Sequence, residues 1–291
     1  MSDLEAAVEQ VWPGRDARFE ILGGGITNHN VKVEVSGETY VLRVAGKDTS
    51  LLGIDRTAEL AATQAAAALG IGPEVVAFVE PEGWLVTRFA EGEIPSLERM
   101  REPAMLARVA AALKAFHEGG PIPGTFDSFR VVETYRDTAL ERGGRVPDSY
   151  AWAHEIASKV EERRSADAQV PCHNDLLNAN FLDDGKRMCI VDWEYAGMGD
   201  RFFDLANFSI NHELDTAQSQ ALLAAYFGEV RQADVDALEL MRFMSDFREA
   251  MWGVVQCAVS ELDFDFDAYA REHFERLRRT AEAPAFIEAL S

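Results

Sequence analysis

One stretch near the middle of the chain, VPCHNDLLNANFLDDGKRMCIVDWE over residues 170–194, restricts the fold more than any other. Two short apolar runs, Phe181-Leu182 and Met188 to Val191, flank the turn-forming residues Asp183-Asp184-Gly185-Lys186, and this spacing predicts an antiparallel hairpin. A hairpin returns the chain to its starting end. Asn180, just before the first strand, and Asp192, just after the second, must then lie side by side, with Asp175 upstream in the leading loop. Three oxygen-bearing side chains are expected to converge.

Carboxylate and amide oxygens are hard donors, suited to a Mg²⁺ ion that keeps some of its waters and accepts phosphate oxygens. Phosphoryl transfer needs groups that hold such a metal on a nucleotide and one carboxylate that orients and deprotonates the attacking hydroxyl. The pattern assigns Asn180 and Asp192 to the metal and Asp175 to the base. His173 is a second candidate of the catalytic loop, read as support for its geometry rather than as a direct proton carrier.

The rest of the chain divides around this segment. Phe19 to Leu22, the glycine run 23–25, VKVEV, the turn at Ser36-Gly37-Glu38 and TYVLRVA alternate as antiparallel strands do. An Ala-rich helix is expected from Asp55 to Leu69, stopped by Gly70 with Pro73 beyond, followed by strands at VVAFV and GWLVTRF. From Glu91 the composition turns helical, with segments at 103–117, 151–164, 203–213, 216–227, 234–260 and 265–283 and one β interruption at the hairpin. The expected architecture is α+β: a small β-rich N-terminal lobe over 1–90 and a larger, mostly helical lobe over 91–291.

Composition narrows the partners. The 28 Lys plus Arg against 50 Asp plus Glu leave a net charge of −22, which repels phosphate backbones and anionic membranes and suits a cationic small substrate. A nucleic-acid partner and membrane insertion are not expected. Cys172, Cys189 and Cys257 are odd in number, widely spaced and set in apolar sequence, as reduced core thiols are. The acidic N-terminus and the lack of a long apolar run predict a protein that is not exported, and the reduced thiols a cytoplasmic one; a monomer or homodimer is expected.

HNDLLNAN resembles the His-x-Asp-x-x-x-x-Asn catalytic loop of the aminoglycoside phosphotransferase and choline kinase families, relatives of protein kinases, and DWE at 192–194 resembles their metal-binding segment. GGITNHNVKV, YVLRVAG, IDR, GIGPEVV and DWEYAGMGDRFFDLAN extend the resemblance over nearly the whole chain and draw it toward the choline and ethanolamine kinases. The resemblance implies a bilobal, protein-kinase-like fold and an enzyme that uses ATP and Mg²⁺. In GGGITN, Gly24, Gly25, Thr27 and Asn28 then stand as the phosphate cover, although the third glycine of the protein-kinase pattern is absent. Arg43 stands where these relatives place the strand cation that holds phosphates, Glu59 where its partner acid would be, and Phe89 in the hinge beside adenine. Arg56 on the same helix complicates that pairing.

For the acceptor, the resemblance places Asp175, Glu194, Tyr195, Trp252, Phe264 and Tyr269 around a small cationic alcohol, since aromatic faces attract an ammonium group. Core packing is the competing account of the aromatics. Eukaryotic choline kinases carry a second tryptophan one helix turn before the one matched by Trp252; here that place is Glu249, whose carboxylate suits an amine with N–H groups, such as ethanolamine. Asn211, Glu213 and Asp215 are candidates for the acceptor's surroundings or simply a polar helix end. Asp204 is expected to brace the catalytic loop, and His117 reads as a helix-end cation. Phosphorylation of choline or a related amino alcohol leads; an aminoglycoside, thiamine or sugar acceptor, or a non-catalytic nucleotide-binding protein, remain the alternatives.

Overall fold

The computed structural model describes residues 3–23, 28–46, 49–164 and 168–291. Its backbone contacts divide the chain into two compact units, one of residues 1–95 with 179–195 and one of residues 96–178 with 196–291. The hairpin is thus counted with the N-terminal residues that precede it by some 90 positions. Main-chain bonds explain this: Glu93 and Asp183 exchange hydrogen bonds of 3.1 and 3.0 Å, and Ile190 N donates to Ile71 O at 2.6 Å.

The first unit runs through α1 (Asp3–Val11), β1 (Ala17–Leu22), β2 (His29–Val35), β3 (Glu38–Val44), α2 (Arg56–Ala68), β4 (Val75–Val79) and β5 (Trp84–Arg88). Its strands form an antiparallel sheet in the order β1-β2-β3-β5-β4. The two-residue turn between β2 and β3 places Ser36 at φ 55° and Gly37 at φ 82°, the left-handed pair whose twist matches a hairpin. Alternation then sets the buried face, with Val31, Val33, Val35, Tyr40, Leu42 and Val86 packing on Ala7 and Val8 of α1. Asp55 caps α2 by accepting from Thr57 N and Ala58 N.

The second unit supplies α3 (Leu97–Met100), α4 (Pro103–His117), α5 (Ser128–Glu141), α6 (Ser149–Arg164) and β6 (Val170–Cys172). After the hairpin strands β7 (Phe181–Asp183) and β8 (Met188–Ile190) come β9 (Gly197–Gly199), α7 (Arg201–Asn211), α8 (Thr216–Phe227), α9 (Gln232–Val259), α10 (Phe266–Glu282) and α11 (Pro284–Leu290). Helix α9 is the post of this unit, packed against α5, α7, α10 and α11. A helix enclosed on all sides is normally apolar throughout, yet α9 buries Ser245, Asp246, Arg248 and Glu249. Those exceptions mark the site described below. A small antiparallel sheet in one unit and a helical majority in the other make this the α+β, protein-kinase-like fold expected. Among the described residues no helix is long and apolar enough to cross a membrane.

Several elements escaped the sequence reading. Strands β6 and β9, paired as Val170–Gly199, Pro171–Met198 and Cys172–Gly197, contain Pro and Gly and have no strand propensity of their own. Helix α5 hides its face, Val132, Tyr135 and Ala139, among charged residues, and α11 is only a short terminal turn. Cys172 and Cys189 are buried, but Cys257 is exposed near the end of α9, against the expectation of a core thiol.

Helix α7 ends at His212, which stacks on Phe208 with ring centroids 4.1 Å apart and hydrogen-bonds the Phe208 carbonyl through Nδ1 at 2.8 Å. Burial lowers its pKa from 6.5 to about 4, so the unfolded chain binds a proton at a pH where the folded chain does not. Its contribution is full above pH 6.5 and is lost as the pH falls toward 4, a difference of about 3 kcal/mol. Thermal melts of the protein and of His212→Asn across that window should differ in slope, the variant losing less stability on acidification.

Candidate active site

The HNDLLNAN loop follows β6 and is held by side chains of α7. His173 N donates to Asp204 Oδ2 at 2.8 Å, Asn174 N to Asp204 Oδ1 at 2.7 Å, and Leu176 N to Asn207 Oδ1 at 2.5 Å. Residues three apart on a helix share a face, so Asp204 and Asn207 present their acceptors together. Asn174 stands at φ 68°, an unusual conformation for a residue other than glycine, and these bonds hold it there. Asp175 N donates to His173 Nδ1 at 3.2 Å, so the histidine braces the loop from within.

Asp204 is fully buried and its Oδ2 also lies 3.0 Å from His117 Nε2, while His117 Nδ1 lies 2.7 Å from the Tyr226 hydroxyl. Burial alone would raise the Asp204 pKa, but the hydrogen bond and charge of His117 and the neighbouring His173 hold it below the ordinary value. His117 does close α4, as its position suggested, and it is also a buried link in the loop's support. Asn207 was missed altogether; its Nδ2 donates to Ser245 Oγ of α9 at 3.0 Å. Its three-residue spacing from Asp204 was the available signal.

In the first unit the hairpin pairs Phe181 with Ile190, and Val191 N donates to Asn180 O at 2.9 Å, which puts Asn180 and Asp192 side by side. Asp192 stands at φ 68°. Arg43 Nη2 is 2.7 Å from Asp192 Oδ1, and Arg43 Nη1 is 2.5 Å from Glu59 Oε1. Arg56 shares Glu59, with Nη1 2.6 Å from Oε2, and reaches Glu194 Oε2 at 3.2 Å and Asn28 Oδ1 through Nη2 at 2.8 Å. Asn28 Nδ2 completes the ring by donating to Glu194 Oε2 at 2.7 Å. The second cation of α2 thus joins the Arg43–Glu59 pair rather than competing with it. Burial opposes the Arg43 charge, but Asp192, Glu59 and Glu194 outweigh that and raise its pKa. Burial lifts Glu194 to about 7, with the Asp192 charge adding and Arg43 opposing.

Beside this cluster lies a cavity of about 340 Å³, lined by Leu22, Val41, Leu85, Phe89 and Leu182 and by the polar Asn180 and Asp192. Apolar walls with a few polar groups at one end suit a heterocycle bearing a charged tail. Phe89 lines it, while its N–H is already donated to Thr39 O at 3.1 Å. The oxygen donors Asn180 and Asp192 fit magnesium in type, and Arg43 fixes one Asp192 oxygen from the protein side. Gly24, Gly25 and Thr27 lie outside the described residues.

In the second unit Asp175 has one neighbour the sequence did not foretell. Arg248, 1% exposed, places Nη1 3.2 Å from Asp175 Oδ1 and 2.6 Å from Glu249 Oε1. Tyr269 donates its hydroxyl to Glu249 Oε2 at 2.8 Å. Burial disfavours the Glu249 charge, but Arg248, His273 and the Tyr269 bond together hold its pKa below the ordinary value. Trp252 meets Tyr269 and Phe266 edge to face, with centroids 5.5 and 5.7 Å apart, and Phe264 meets Tyr269 at 6.1 Å. Trp252, Phe264 and Tyr269 are thus brought together.

Tyr195 and Glu194 are counted with the first unit, where Glu194 faces Asn28 and Arg56. Of the polar residues after α7, Asp215 caps α8, Glu213 pairs with Arg101 at 2.6 Å, and Asn211 Oδ1 accepts from Arg276 at 3.1 Å.

The chain matches the phosphotransferase enzyme family over residues 18–241. A solved choline/ethanolamine kinase family protein from Mesorhizobium loti is 32% identical, superposes with a TM-score of 0.84, and is covered over 98% of its length by the whole of this chain. Ethanolamine kinase 2 of Mus musculus is 26% identical over 91% of this chain and 76% of its own. Protein LicA of Haemophilus influenzae is 28% identical over 72% of this chain, and the match spans 62% of LicA. With a family match over most of its length and a full-length relative of that identity, the chain belongs to the phosphotransferase enzyme family, in its choline/ethanolamine kinase branch.

Proposed function

We propose that this phosphotransferase moves the terminal phosphoryl group of ATP, as its magnesium complex, to the hydroxyl of a small amino alcohol such as choline or ethanolamine. The observation that carries the acceptor is the assembly of the second unit: Asp175, the buried Glu249 and the rings of Trp252 and Tyr269 belong to one connected cluster. Its two carboxylates, Asp175 and Glu249, share one nitrogen of the Arg248 guanidinium, and a cationic substrate would add to their neutralisation. Ring edges and faces around a carboxylate suit an ammonium group.

In this reading Asp175 accepts the proton of the acceptor hydroxyl as the oxygen attacks phosphorus, and the bond to the ADP oxygen breaks. Asn180 and Asp192 hold magnesium, which supplies charge neutralisation on the phosphate oxygens when bound. Arg43 orients Asp192 and the phosphates, with Glu59, Arg56, Asn28 and Glu194 fixing Arg43 in turn. The cavity beside Phe89 takes the adenine, and Gly24, Gly25 and Thr27 the phosphates.

An ADP-release assay over choline, ethanolamine, thiamine, sugars and aminoglycosides tests the reading. Turnover is expected with an amino alcohol and lost on chelation of magnesium; turnover confined to an aminoglycoside or a sugar would refute the acceptor. In the same assay Trp252→Ala should raise the acceptor KM about tenfold, as loss of a desolvated cation–π contact does, and leave the KM for ATP within twofold.

A further inference from the structure

Arg248 is the least expected charge in the molecule. It projects from the enclosed helix α9, is 1% exposed, and sits beside two carboxylates, one of them the proposed base. Burying a guanidinium costs several kcal/mol of desolvation, of which an ion pair returns only part. A leucine or methionine would fill the same volume more cheaply. A counter-ion for Glu249 alone would need no approach to the catalytic loop. Yet one nitrogen, Nη1, serves both acids, at 2.6 Å from Glu249 and 3.2 Å from Asp175. The far side of Glu249 is fixed as well, by the Tyr269 hydroxyl at 2.8 Å.

We propose that Arg248 is a positioning residue: its Nη1 locks the Asp175 carboxylate in the rotamer that receives the acceptor's proton and ties it to Glu249, the anchor of the acceptor's amine. The inference rests on Asp175 being the base. A charge-assisted bond narrows the rotamers open to a carboxylate, so reactive alignment is already present before the acceptor arrives. In this arrangement Arg248 acts through the two acids rather than on the hydroxyl or the phosphate. The shared nitrogen also means that the distance from base to amine anchor is set by the protein, which favours short amino alcohols with one fixed separation of hydroxyl and nitrogen.

Removing Arg248 alone leaves Glu249 buried without its cation, so the informative comparison is Arg248→Met/Glu249→Gln against Glu249→Gln, with Arg248→Lys and Asp175→Asn beside them. Melting temperature and affinity for a fluorescent ATP analogue are measured on each, and kcat and acceptor KM with ethanolamine and choline. The double variant is expected to melt near Glu249→Gln, to bind the nucleotide within about twofold, and to lose about 50-fold in kcat, the scale of a misplaced reacting group. Arg248→Lys keeps a cation within reach and should recover most of that loss. Equal kcat in the double variant and Glu249→Gln would overturn the proposal and leave Arg248 a counter-ion. If the double variant does not fold, a kcat of Arg248→Lys lowered several-fold at unchanged melting temperature and nucleotide affinity supports it, and a kcat equal to that of the unaltered protein contradicts it. Full activity in Asp175→Asn would instead remove the base itself, and the proposal with it.

Discussion

Asp175→Asn is expected to lower kcat by about 10³-fold while leaving the melting temperature and nucleotide affinity nearly unchanged. The asparagine keeps the volume and one acceptor oxygen, so the bonds that shape the loop, which run through the backbone N–H groups of His173, Asn174 and Leu176, remain. What disappears is the group that takes the proton and half of the ion pair with Arg248. Steady-state rates, with a melt of the same sample, check it. A variant within tenfold of the unaltered protein would mean that the hydroxyl loses its proton elsewhere, to water or to a phosphate oxygen.

Asp204→Ala has the largest expected effect on stability. Its carboxylate, fully buried, accepts from His173 N and Asn174 N and meets His117 Nε2. Alanine leaves those three groups without their acceptor at a cost of about 1–3 kcal/mol each, so a total near 4 kcal/mol is expected after local relaxation. Urea unfolding should show this as a lowered midpoint with an unchanged slope. Activity at low temperature should fall too, because Asn174 holds its positive φ only under those bonds. Asp204→Asn, which keeps one acceptor oxygen, is expected to lose roughly half as much. The acidic limb of stability follows the same contact. The Asp204 pKa is depressed in the fold, so its contribution is present above the unfolded carboxylate value and disappears as the pH falls through the folded one.

Most of the first unit was legible in the sequence because its signals are local. Alternating residues from β2 to β3, the positive-φ pair at Ser36 and Gly37, and the capped α2 each follow from a few neighbouring residues. The hairpin was legible for the same reason, and with it the adjacency of Asn180 and Asp192. Long-range arrangements were not. Nothing near His117 announces that it meets Asp204, 87 residues on, and Tyr226, 109 residues on. Val170 to Cys172 becomes a strand only because Gly197 to Gly199 lies beside it.

The charges followed the same rule. Arg43 and Glu59 were placed by the family resemblance, whereas the inclusion of Arg56 and Glu194 in one network depends on the folded unit. Nothing local singles out Arg248, because α9 carries charges at several positions and only folding shows which are enclosed. Glu249 was noticed from its place relative to Trp252, but its bond to Tyr269 spans 20 residues and two helices.

The central claim is that Asp175 and the oxygens of Asn180 and Asp192 serve transfer from magnesium ATP to the hydroxyl of an amino alcohol. The most direct measurement is phosphorus-31 NMR of the protein with ATP, Mg²⁺ and ethanolamine or choline. The account predicts a phosphomonoester resonance that grows in step with ADP and is absent with Asp175→Asn. ADP accompanied only by inorganic phosphate, or a phosphomonoester that forms equally with Asp175→Asn, would contradict it.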